Sequence, residues 1–113
     1  MTLPVPSPTH VERETNLLRF LCDSRSKIDA RESVLLIVQN YRWSAPDSVI
    51  FFECIRDLFA CNPQNILANL PATLTRRGFP DMPCEILAMP SGLSPVSALT
   101  LAEKLVHLNK TER

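Results

Sequence analysis

Ser44–Cys61, SAPDSVIFFECIRDLFAC, decides how the rest of the chain is read. Ser44 is placed to cap a helix, Pro46 falls where a missing N–H costs nothing, and Asp47 lies three residues after the cap. At about 100° per residue, Glu53, Arg56 and Asp57 crowd into one sector, shared by Val49 and Ala60. Ile50, Phe51, Phe52, Cys54, Ile55, Leu58, Phe59 and Cys61 fill the remaining arc. A helix apolar over so much of its circumference needs neighbours on more than one side, so the stretch predicts a central apolar helix over about 45–60.

The segments on either side supply those neighbours. Upstream, Thr9–Cys22 places Val11, Leu17, Leu18, Phe20, Leu21 and Cys22 on one helical side, opposite Glu12, Arg13 and Arg19. Thr9 and Glu12 have the spacing of a capping box. The run Ile28–Trp43 contains Val34–Val38, which alone fits a buried strand. Asp29 as a cap, the one-sided grouping of Ala30, Val34, Ile37, Val38 and Tyr41, and the lack of a second convincing strand favour a helix. Leu35 and Leu36 lie off that face, so this helix packs on two sides or leaves an apolar stripe for a partner.

Downstream, Asn62 is expected to cap a helix that begins at Pro63 and presents Ile66, Leu67 and Leu70, with a kink or restart at Pro71. Gly78 fits the left-handed position that ends it, with Phe79 closing over Leu74. Residues 79–93 carry three prolines and read as an irregular connector. Ser94 and Pro95 open a last helix with Ala98, Leu99, Leu101, Ala102, Leu105, Val106 and Leu108 on one face.

These readings predict an all-α fold: a small bundle of five or so helices as one domain over 9–109, an extended Pro-rich arm at 1–8, and a frayed tail at 110–113. Composition agrees. Two glycines are too few for hairpin-rich β structure, and 113 residues suit one domain with its own core. Twelve basic and twelve acidic residues cancel, which argues against a nucleic-acid partner. The first ten residues lack the basic and apolar regions of a secretory signal, and no apolar run approaches the ~20 residues of a membrane span. The expected location is the cytoplasm, with no membrane partner and with reduced thiols.

Few residues stand out as chemistry. Cys22, Cys54, Cys61 and Cys84 contain no C-x-x-C pair, and Cys54 and Cys61 stand about 10 Å apart along a helix. Buried, inert thiols are the plainer reading, so no metal and no cofactor are expected. His10 and Glu14 are spaced i, i+4, which brings two ligand types together without completing a site. Glu53 and Asp57, with Arg56 between them, fit a solvated face. His107 falls on the polar side of the last helix. No serine or cysteine carries the context of a nucleophile, and no enzymatic activity is expected.

The candidate partner-binding residues are therefore Leu35, Leu36, Trp43, Arg76 and Arg77. The function they imply is a non-catalytic helical protein-interaction or oligomerisation module, whose partner is another protein or a second copy in a homodimer. The alternative is a helix-turn-helix regulator that reaches nucleic acid through Arg76 and Arg77. A second alternative is a cysteine-based metal or redox protein.

Overall fold

A computed structural model describes residues 8–111, with side chains from His10 to Leu108. Five α-helices and one short 3-10 helix make up the described chain, with no strand among these residues. They are α1 (Pro8–Cys22), α2 (Ile28–Ile37), α3 (Pro46–Cys61), α4 (Ile66–Arg76), the 3-10 helix Cys84–Ala88, and α5 (Pro95–Thr111). The expected all-α bundle is what forms.

α3 buries Phe51, Phe52, Cys54, Ile55 and Phe59 and packs on α1 and α4. Its Arg56, Asp57 and Ala60 face solvent, as the polar sector predicted. α1 packs on α2, α3, α5 and the 3-10 helix, and its Leu17, Leu18, Phe20 and Leu21 are fully buried. The middle of the bundle is thus shared by α1 and α3. α2 and α5 lie against each other, with Val34 buried from one and Ala98, Ala102 and Leu105 from the other. The i, i+4, i+7 row of α5 carries two alanines, whose small side chains let α2 approach closely.

Some local signals translate directly. Ser97 donates its backbone N–H to Ser94 Oγ at 3.1 Å, so Ser94 caps α5 and Pro95 is its first residue. Gly78 has φ +92°, its N–H bonds to the Thr75 carbonyl, and the Phe79 N–H reaches the Leu74 carbonyl at 2.8 Å. Those two bonds are the helix ending expected there, and the positive φ is why glycine stands at its pivot.

Other expected ends are displaced, each by a tertiary bond or a local turn. Ser44 does not cap α3. Its amide and hydroxyl are both taken by Glu14 of α1, and Ala45 occupies the cap position. Asn62 ends α3 instead of starting α4, because its N–H bonds to the Leu58 carbonyl at 2.7 Å. The Asn65 N–H then bonds to the Asn62 carbonyl, Pro63 and Gln64 form the turn, and Asn65 becomes the cap of α4. α4 runs unbroken through Pro71, whose ring faces solvent while Ile66, Leu70 and Leu74 on the buried side hold the helix together. Lys27 rather than Asp29 precedes α2, and Asp29 sits in the first turn, where a carboxylate suits the helix dipole.

The second helix also stops at Ile37 instead of continuing to Trp43. Residues 38–40 turn and Tyr41–Trp43 leave the helix, so that both rings enter the core, Tyr41 edge-on to Trp43 and Trp43 against Phe52. α1 already includes Pro8 and Thr9, so Thr9 is not its cap. The rest of the expected arm, residues 1–7, lies outside the described residues. α5 continues to Thr111, into the expected tail, and residues 112–113 lie outside the description.

One tie holds three of these elements. Arg31 of α2 is fully buried, and its Nε and Nη2 donate to the Leu21 carbonyl at 3.0 and 2.8 Å. Nη2 also donates to the Pro63 carbonyl at 2.6 Å, and the guanidinium lies 5.2 Å from the Phe59 ring centroid. The side chain therefore joins the end of α1 to the α3–α4 turn. Arg31→Ala is expected to cost about 2–4 kcal/mol in urea unfolding, since two buried carbonyls lose their donor. A loss below about 1 kcal/mol would show that the fold does not depend on this tie.

Candidate functional site

The most concentrated group of polar side chains is gathered by Glu14, fully buried in the second turn of α1. Its carboxylate accepts from Tyr41 Oη at 2.5 Å, from the Ser44 N–H at 3.1 Å and from Ser44 Oγ at 3.1 Å. His10, one turn earlier, places Nε2 3.0 Å from Ser44 Oγ and 3.4 Å from Glu14 Oε2. The i, i+4 spacing of His10 and Glu14 thus brings them together, with Ser44 and Tyr41 added from the α2–α3 connection.

Serine, histidine and carboxylate in one cluster invite comparison with a catalytic relay, and the geometry differs from one. In a relay the carboxylate holds one imidazole nitrogen while the other takes the serine proton. Here Glu14 and Ser44 both face Nε2. With the Ser44 hydroxyl proton directed at Glu14, the network assigns Nε2 as a donor to Ser44 Oγ, so the ring nitrogen that faces the serine does not accept its proton. What the arrangement does is fasten the Tyr41–Ser44 segment to α1.

The carboxylates of α3 are also engaged. Arg77, the last-turn cap of α4, pairs with Glu53 at 3.4 Å and with Asp57. The Glu53–Asp57 face is thus a crosslink between helices, each exposed pair contributing less than about 1 kcal/mol. Arg76 points elsewhere, donating to Thr73 Oγ1 of its own helix at 3.2 Å. The two arginines therefore do not form one joint cationic grip.

The remaining sequence-selected residues separate by burial. Leu35 packs partly against the core, whereas Leu36 is 59% exposed. Trp43 is only 8% exposed, with its ring 4.9 Å from Tyr41 and 5.2 Å from Phe52, so no partner reaches it without opening the core. Cys22 and Cys54 are buried, Cys84 is half-buried and Cys61 is exposed. Burial pushes the Cys22 thiol up to about 12 despite the pull of nearby Arg31. Burial likewise raises Cys54 and Cys84. Such thiols stay protonated at neutral pH and are poor nucleophiles. No group of three or more His, Cys, Asp or Glu among the described residues is arranged to hold a metal ion.

A concave surface that sequence patterning did not single out lies between α1 and α5. It encloses about 400 Å³ and is lined by Arg13 and Asn16 from α1 with Val96, Ser97, Thr100, Leu101 and Lys104 from α5, closed by Leu93. Val96 is 74% exposed there. Leu93, Val96 and Leu101 supply apolar surface between the cations of Arg13 and Lys104. Neither cation is paired with a carboxylate among the described residues. Val96 and Arg13 were invisible as a pair because they come from opposite ends of the chain.

The architecture and this site define an all-α bundle with an apolar, basic-rimmed groove. No protein-family model matches the chain, and no curated protein or solved structure is significantly similar to it. No helix among the described residues is long and apolar enough to cross a membrane.

Two measurements check the internal roles. Glu14→Gln turns an amide NH2 toward converging donors, and the expected cost is about 2 kcal/mol in unfolding free energy; an unchanged midpoint would remove Glu14 from the scaffold. With a thiol reagent at neutral pH, Cys61 is expected to react first and Cys22 and Cys54 only after denaturation. Rapid labelling of Cys22 in the folded protein would contradict its burial.

Proposed function

We propose that this chain is a non-catalytic helical module that binds another protein, or a second copy of itself, through apolar side chains its own core leaves wholly or partly uncovered. The observation that carries this reading is the grouping of Leu93, Val96 and Leu101 in one concavity rather than scattered over the surface. Isolated exposed apolar residues are ordinary on any protein, whereas apolar side chains gathered in a groove with a polar rim resemble a docking site. Leu36 on α2 adds a second uncovered apolar position.

The other two readings have less support. A helix-turn-helix regulator needs free cations at the end of α4, and Arg77 there is held by Glu53 and Asp57. The zero net charge removes the long-range attraction such a protein would use. A redox or metal protein needs accessible, low-pKa thiols, and burial raises three of the four.

The reading is tested by placing photo-crosslinking side chains at Val96 and at Leu36 in turn and irradiating cells of the source organism. Covalent adducts to a discrete second polypeptide are expected from at least one position. If neither position yields an adduct above that of an exposed control such as Arg56, the interaction reading fails.

A further inference from the structure

The groove between α1 and α5 has enough chemistry to specify what enters it. Its α5 wall runs from Val96 to Lys104, about 12 Å at 1.5 Å per residue, which is a little over two helical turns. Val96, Thr100 and Lys104 form one i, i+4 ridge, and Ser97 and Leu101 form the next. Ser97 and Thr100 are small, so the backbone of an incoming helix can approach α5 closely between the bulkier Val96 and Leu101. Such ridges match the i, i+3 or i+4 spacing of apolar side chains on a second helix.

Charge supplies the other half of the specification. Arg13 stands on the α1 wall and Lys104 at the far end of the α5 wall, and no carboxylate lines the groove. Asn16 accepts a bond from Arg19 of its own helix, so the uncompensated charge at the groove is positive. A partner with carboxylates beside its apolar stripe would be drawn in, and one with lysines there would be repelled.

We infer that the α1–α5 groove binds an amphipathic helix of another protein, with its apolar stripe on Leu93, Val96 and Leu101 and its flanking carboxylates on Arg13 and Lys104. The inference rests on the interaction reading above and narrows it to one surface and one partner chemistry. Exposed ion pairs are individually weak, so the apolar stripe provides most of the affinity while the two cations decide between partners.

The probe is a pair of synthetic 16-residue amphipathic helices with the same leucine stripe, one flanked by glutamates and the other by lysines. Each is titrated into the full chain and followed by amide chemical shifts at low and at physiological salt. The acidic peptide is expected to saturate and to shift Leu93, Val96, Thr100, Leu101 and Lys104. It should bind roughly tenfold or more tightly than the basic peptide, with the preference shrinking as salt rises.

The double variant Arg13→Glu/Lys104→Glu changes only exposed side chains, so its circular dichroism should match the parent while the preference between peptides reverses. Val96→Asn, which removes apolar surface without adding charge, should weaken both peptides alike. Equal binding of the two, shifts that map elsewhere, or no binding would overturn the inference. So would binding of anionic phospholipid vesicles at these residues in preference to the acidic peptide, or a dimer in sedimentation that the double variant abolishes. Crosslinks from Leu36 with none from Val96 would sink this groove while leaving the broader interaction reading in place.

Discussion

A guanidinium buried without a carboxylate is the constraint on which the rest of the architecture depends. Taking Arg31 out of water is costly, and burial pushes its pKa down from the ordinary arginine value. The cost is offset by three hydrogen bonds to two carbonyls and by the face of Phe59. The Leu21 carbonyl belongs to the last turn of α1, where acceptors lack intrahelical partners and the helix dipole favours a cation. The Pro63 carbonyl belongs to the α3–α4 turn, so the side chain sets that turn against the end of α1. Nη1 has no partner among the described residues. A buried N–H left open is a cost that the ring face only partly relieves.

Glu14 is the counterpart in the earlier half of α1. It draws the Tyr41–Ser44 segment onto the helix, which carries Tyr41 and Trp43 into the core and sets where α3 can begin. α1 is therefore tied through Glu14 to the segment leading into α3, and through the Leu21 carbonyl and Arg31 to the turn leaving it. The Arg77 pairs with Glu53 and Asp57 close the outer side of α3 against α4. Polar residues that looked free for chemistry are mostly used to register helices, and the uncovered apolar positions on α5 and α2 stand apart from that scaffold. This division is the basis on which the interaction reading is proposed.

Sequence patterning alone was enough for the helices of α1, α3 and α5, the polar strip Glu53–Arg56–Asp57, the Gly78 stop, and the Ser94–Pro95 start. Each depends on side-chain periodicity or on bonds spanning a few residues, so all the partners are present in the local string. Tertiary structure alone decided the roles of Ser44, Pro71, Arg31 and Arg77, and the groove that unites Arg13 with Val96. Glu14 reaches partners 27 and 30 residues away, and Arg31 one 32 residues away. A hydroxyl or amide with two competing acceptors takes the one that folding brings to it, and a local pattern carries no record of the distant competitor.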